Sequence, residues 1–187
     1  SEQSVTKKLD QYRFDFLGWN FRKFKGKLLI QPSRKSKQKV TKSLSRTIKY
    51  YHEANQELLI IKLNQITRGW AEYHHCACAK KTYALIDHRL WEMLWKWAKR
   101  RHPRKGKKWI KNRYWHPKGN REWSFRTDKA ILYQMMDMPI VRIRSLDLKK
   151  NPFLDGEYFE HRRKQHKKDK ETAYLSSTAA LSGYYAL

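Results

Sequence analysis

Apolar residues recur along this chain at helical spacing in three separate stretches. Val40, Leu44, Ile48 and Tyr51 follow one another at four, four and three. Leu59, Leu63, Ile66, Trp70 and Tyr73 do so at four, three, four and three, and Tyr83, Ile86, Leu90, Leu94 and Trp97 at three, four, four and three. Each set marks one stripe of an amphipathic helix. The spacing predicts a first helix capped by Ser33 or Ser36, a second over about 56–73, and a third over about 80–101. Three such helices with short connections make a bundle. Trp91 and Trp95 lie beside the stripe of the third helix, so it is either buried over a wide arc or offers aromatics to a partner. Arg68 and Gly69 interrupt the second stripe. Glycine inside a helix costs about 1 kcal/mol relative to alanine, so a packing or ligand-approach reason is expected there.

Ahead of the helices the rhythm shortens to two. Phe14 and Phe16 alternate with polar neighbours, Lys25-Gly26 offers a tight turn, and Lys27-Leu-Leu-Ile30 runs on to Pro32. Residues 12–31 are therefore expected as a β-hairpin, which needs further strands or the helices to be stable. After the third helix, His102-Pro-Arg-Lys-Gly-Lys-Lys108 reads as a helix stop and basic linker. Beyond it, Trp123-Ser-Phe125 and Ile140-Val-Arg-Ile143 are short strand candidates, and Pro117-Lys-Gly119 is a turn. Residues 161–171 are a solvated charge run, and the last dozen residues are rich in Ser, Ala, Gly and Tyr. The expected fold is mainly α: a hairpin over 1–32, a three-helix bundle over 33–102, a small basic α+β module over 103–163, and a poorly ordered tail over 164–187.

Charge changes this picture from a fold to a partner. The 187 residues carry 43 Lys and Arg against 17 Asp and Glu, a formal net charge of +26. Such self-repulsion needs an anionic counterpart, nucleic acid first and an anionic membrane surface second. Eight Trp, eleven Tyr and seven Phe argue for a folded polycation rather than a disordered basic tail. A stretch of about 18 apolar residues is absent, so no transmembrane helix is expected. Nor does the N-terminus read as a secretory signal. Lacking an initiator Met, the chain reads as a processed product or a piece of a longer protein. An intracellular setting, bacterial cytoplasm or an organelle, is the expectation.

Residues able to do chemistry are scarce. No phosphate-binding glycine loop or His-Glu-x-x-His segment occurs. Asp15, Asp128, Asp137, Asp147 and Asp155 are too scattered to hold catalytic metal ions. Cys76 and Cys78 beside His74 and His75 lack a second ligand pair, so free thiols are expected rather than a metal site. Adjacent helical residues point about 100° apart, which also argues against a His-Cys nucleophile.

Binding is better supported. Arg34, Lys35, Lys37, Lys39, Lys42, Arg46 and Lys49 cover the first helix, and residues 16–52 contain no Asp or Glu. A second cluster includes Arg100, Arg101, Arg104, Lys105, Lys107 and Lys108. Phosphate contacts from such surfaces release counterions and give steep salt dependence. Trp109, Tyr114 and Trp115 could stack on unpaired bases, although packing in a core is the better expectation for them.

Several segments resemble group II intron-encoded proteins. Phe16-Leu-Gly-Trp19, Lys25-Gly26, Pro32-Ser33 and Ser36 look like the end of their reverse-transcriptase palm and start of the thumb. Leu63-Asn-Gln-Ile-Thr-Arg-Gly-Trp-Ala-Glu-Tyr73 is similar to their maturase signature, continued by Leu90-Trp-x-x-Leu-Trp-x-Trp-Ala98, Arg101-His-Pro103 and Trp109. Ile140-x-Arg142, Asn151-Pro-Phe-Leu-Asp155 and Tyr158-Phe159 look like the DNA-binding region after the thumb. The resemblance implies binding of intron RNA to assist splicing, and contact with target DNA during intron mobility. Carried residue by residue, it assigns RNA to the seven cations of the first helix with Arg68, Arg100 and Arg101. Target DNA goes to Arg104, Lys105, Lys107, Lys108, Arg126, Arg142 and Arg144. Gly69, Trp70, Tyr73 and Trp97 take structural roles. The metal-binding palm motif and the His-Asn-His endonuclease of that family are not in this sequence. Mg²⁺ would therefore belong to the RNA or to a palm elsewhere, and no cofactor is expected here. The rival expectations are the C-terminal part of a reverse transcriptase with its fingers and palm on another chain, and a basic structural subunit of a ribonucleoprotein.

Overall fold

The computed structural model describes residues 13–119, 121–141 and 146–182. In chain order these form β1 (Arg13–Phe16), β2 (Trp19–Phe24), β3 (Lys27–Pro32), α1 (Arg34–Tyr50), α2 (Gln56–His74), α3 (Lys80–Arg101), α4 (Lys107–Tyr114), β4 (Trp115–Lys118), β5 (Arg121–Phe125) and α5 (Gly156–Ser182), with a short 3₁₀ turn at Met135–Asp137. The fold is mainly α, as the hydrophobic periodicity predicts.

The N-terminal strands form an antiparallel meander, β1-β2-β3, one strand more than the expected hairpin. Two-residue turns join them at Leu17-Gly18 and Lys25-Gly26, and all four turn residues have positive φ. That conformation suits the right-handed twist of a hairpin. A leucine at φ 45° is the reason the first turn is hard to read from sequence, because β-turns of this kind favour Asn, Asp or Gly. Tertiary bonds hold it: the Tyr73 hydroxyl donates to the Leu17 carbonyl at 2.6 Å, and the Ser33 N–H to the Gly18 carbonyl at 2.8 Å.

Ser33 caps α1, its side chain accepting the Ser36 N–H at 3.1 Å. Asn55 caps α2 in the same way through the Leu58 N–H at 2.8 Å. Caps of this kind satisfy otherwise orphaned donors of the first turn. Val40, Leu44 and Ile48 of α1, Leu59, Ile60 and Leu63 of α2, and Tyr83, Ile86, Leu90, Leu94 and Trp97 of α3 form one buried core. On α2 the buried stripe is rotated from the expected one: Thr67, Ala71 and His74 are buried, Ile66 and Trp70 half-buried, and Tyr73 exposed.

Packing continues past the basic segment after α3. Ile110, Tyr114, Trp115, Phe125, Met135 and Met138 belong to the same core cluster. Trp91 and Trp95 stack in parallel at 5.7 Å and meet Trp115 and Trp123, so the wide apolar arc of α3 is covered from within the chain. Trp123-Ser-Phe125 lies in β5 as expected, paired with β4, which the sequence did not signal. Ile140 and Val141 are not in a strand, and residues 142–145 lie outside the described ones, so the second strand candidate is not seen among the described residues. Residues 161–171 and the tail up to Ser182 are helical within α5. Glu72 of α2 pins that helix, accepting from Lys170 Nζ at 2.7 Å and from the Tyr174 hydroxyl. Burial alone would raise the Glu72 carboxyl, but these bonds outweigh it and hold the group below its ordinary value.

Candidate nucleic-acid interface

With Val40, Leu44 and Ile48 facing the core, helical geometry fixes where the cations of α1 point. At about 100° per residue, Lys35, Lys39, Lys42, Arg46 and Lys49 fall within about 80° of arc on the opposite side. All five are exposed. They recur at four, three, four and three, a stripe about 21 Å long at about 1.5 Å per residue. Among the described residues no carboxylate pairs with any of them, and residues 16–52 supply none. Arg34 is exposed at the first helical position. Lys37 departs from the set: it sits on the core side of the helix and is half-buried.

Toward its N-terminal end the stripe borders a groove of about 630 Å³ in which Lys35 and Lys39 meet Phe16, Ile66, Trp70 and Tyr73. The residues that carried the resemblance converge here from the meander, α1 and α2. Trp70 Nε1 donates to Ser36 Oγ at 3.1 Å, and Ser36 Oγ also lies 3.1 Å from His74 Nε2. Trp19 stacks on Tyr73 at 5.4 Å and meets the His74 ring edge-on at 4.3 Å. Burial depresses His74 to about 4, because a protonated ring would be desolvated and its Nδ1 has no partner. His75 turns the other way, its Nδ1–H donating to the Glu72 carbonyl. Cys76 and Cys78 are free thiols.

Gly69 is exposed in mid-helix, and a Cβ added there would meet nothing within 4 Å. Steric crowding therefore does not account for the glycine. Gly69→Ala is expected to raise stability by about 1 kcal/mol in a urea titration; a loss would mean that the helix needs glycine for its own sake. Arg68, next to it, lies over the Tyr133 ring at 5.1 Å.

The other cations divide. Arg100 is exposed and, among the described residues, unpaired, whereas Arg101 holds the α1–α2 loop, donating to the carbonyls of His52 and Ala54 while lying over Trp97 at 4.8 Å. Arg104, Lys105, Lys107 and Lys108 are exposed on the turn into α4, Lys105 sitting over Trp109 at 5.4 Å. Arg126 is half-buried and donates to the Pro117 carbonyl at 3.3 Å. Arg142 and Arg144 lie outside the described residues.

Sequence reasoning missed the polar residues that position this frame. Asn64, inside the motif, donates to the Ile131 carbonyl at 2.8 Å and accepts the Tyr133 N–H at 2.7 Å. Gln56 donates to the carbonyls of Tyr114 and Arg126, and Asp87 accepts the N–H groups of Met135 and Met136. Burial pushes the Asp87 carboxyl up to about 6 in spite of those two N–H bonds. An Asn one position from a buried Leu in a helix was the available signal.

One face of the helical bundle thus carries an exposed cation stripe, unpaired among the described residues, with an aromatic groove beside it. Residues 34–115 match the family model of the group II intron, maturase-specific domain, and the chain carries that domain from α1 through α4 to the start of β4. Group II intron RNA is the partner that such a domain implies. A comparison with the curated proteins gave no match. No helix among the described residues is long and apolar enough to cross a membrane.

Proposed function

We propose that this chain binds group II intron RNA through the exposed face of α1 and assists splicing by holding the folded RNA in its reactive geometry, without bond-making of its own. Lys35, Lys39, Lys42, Arg46 and Lys49 take phosphates, and Gly69 lets the backbone of α2 come close to the RNA. Arg104, Lys105, Lys107 and Lys108, on the turn after α3, meet target DNA during mobility. No cofactor is assigned to the chain; Mg²⁺ belongs to the RNA or to a polymerase palm elsewhere.

The observation that carries this reading is the five-cation stripe, free of acidic partners among the described residues, inside a maturase-specific domain. Five phosphate contacts predict that log K for intron RNA falls with log salt at a slope of about −3.5 to −4.5. Intron splicing, run with and without the protein, is expected to rise over the same salt range as binding. A slope shallower than about −1, or equal binding to an unrelated structured RNA, would sink the reading; the second result would favour a generic ribonucleoprotein subunit.

One observation favours a second reading. Phe14, Phe16 and Leu28 share one face of the meander and are 62%, 59% and 67% exposed. Apolar exposure of that kind fits a multi-chain reverse transcriptase whose palm lies on another chain. Co-purification of a palm-containing protein decides for it.

A further inference from the structure

We infer that the cleft between the C-terminal ends of α1 and α3 is a pocket for one unpaired nucleotide of an RNA strand. The cleft has a volume of about 470 Å³, within the range of small-molecule sites. Ile48, Met93 and Trp97 form its apolar floor, while Lys49 and Arg100 stand at the rim. Among the described residues neither rim side chain has an ion pair or hydrogen bond, which leaves both for a phosphate.

The feature that selects a base is Arg101. Its guanidinium lies over Trp97 at 4.8 Å and is fixed by the carbonyls of His52 and Ala54, yet the side chain stays exposed and lines the cleft. Two loop carbonyls hold the group over the indole, and part of the side chain remains open to the cleft. A guanidinium held in this way is a stacking platform for an unpaired base. Glu53, which pairs with His52 at 3.3 Å, is the acid on this rim. As an acceptor it suits a ribose hydroxyl or an exocyclic amino group rather than a phosphate. Lys49 is both a wall of the cleft and the last member of the α1 stripe, so a strand lying along the stripe reaches the pocket at its end.

The inference deepens the reading of α1 as an RNA surface and rests on it for the identity of the polymer; the test separates the two. The fluorescent nucleotide 2-aminopurine riboside 5′-monophosphate is titrated into the full chain. Saturable quenching is expected. Arg101→Lys keeps the charge but removes the plane, and Met93→Trp fills the floor; each weakens binding at least about tenfold. Because Arg101 also braces a loop, Arg100→Ala serves as a second variant that touches no fold contact, and it lowers affinity about fivefold. A Lys35→Glu, Lys39→Glu, Lys42→Glu variant binds the nucleotide as the unaltered chain does while losing intron RNA. Absence of saturable quenching, or nucleotide affinity unchanged in Arg101→Lys and Met93→Trp, overturns the pocket and leaves the stripe standing. Intron binding that survives the triple change sinks the stripe instead.

Discussion

Replacing Lys39, Lys42 and Arg46 together by glutamate is expected to lower the affinity for intron RNA by at least about a thousandfold at about 0.15 M salt. The arithmetic begins with neutralisation. Each phosphate contact contributes a factor of salt concentration to about the −0.8 power, or about fivefold at about 0.15 M, so three contacts removed by alanine cost about a hundredfold. Reversal adds three repulsions of similar size at the same distances. The fold is expected to tolerate the change: all three side chains are exposed, none has an ion pair among the described residues, and Glu is nearly as good a helix former as Lys or Arg. Removing like charges from a chain of net charge +26 also relieves self-repulsion. A filter-binding titration reads the affinity, and far-ultraviolet circular dichroism confirms the helices. Affinity within about tenfold of the unaltered chain would mean that the RNA lies elsewhere.

The periodicity of α3 was legible to the residue, because its core face is a continuous set of large apolar groups bounded by a basic last turn. The α1 stripe was legible as charge but not as geometry. Seven cations were visible in the sequence, and it takes setting them against the Val40, Leu44 and Ile48 stripe at about 100° per residue to see that Lys37 points the other way. Arg101 shows a different limit. A basic residue in the last turn of a helix reads as a phosphate ligand, whereas here its guanidinium satisfies two loop carbonyls that arrive from about fifty residues away. Leu17 was invisible as a turn because its positive φ is imposed by Tyr73 and Ser33, which are distant in sequence. The same holds for Asn64 and Asp87, whose backbone partners lie beyond residue 130. Helix α5 gave no sign because its charges surround it; what positions it is Glu72, on another helix. Local pattern therefore specified the elements, and long-range polar contacts, which leave no local trace, specified how they meet.

The joint between meander and bundle is where such a contact has the largest consequence, and acid is expected to loosen it through His74. This ring has no exposed surface, is packed by Trp19, Trp70 and Tyr73, and bonds Ser36 through Nε2. Protonation makes donors of both ring nitrogens, and Nδ1 has no acceptor among the described residues. The folded ring therefore titrates at about 4 against an ordinary 6.5. Between those two values the unfolded chain binds the proton and the folded chain does not, so stability rises with pH across the window and is lost as pH falls through it. The loss from this one group is about 2 kcal/mol by pH 5 and about 3 kcal/mol by pH 4. Asp87 acts in the opposite direction. Its raised value, about 6, makes its ionised form the costly one, so its own contribution weakens as pH rises. Total stability against pH consequently mixes the two slopes, and a variant is needed to separate them. His74→Gln can keep the Ser36 bond but has no titrating nitrogen. Its urea midpoint is expected to be lower at pH 7 and to fall less on acidification, the two curves converging by about 2 kcal/mol between pH 7 and pH 5. Parallel curves would show that the ring takes up its proton without penalty, and that Trp19, Trp70 and Tyr73 do not seal it from water.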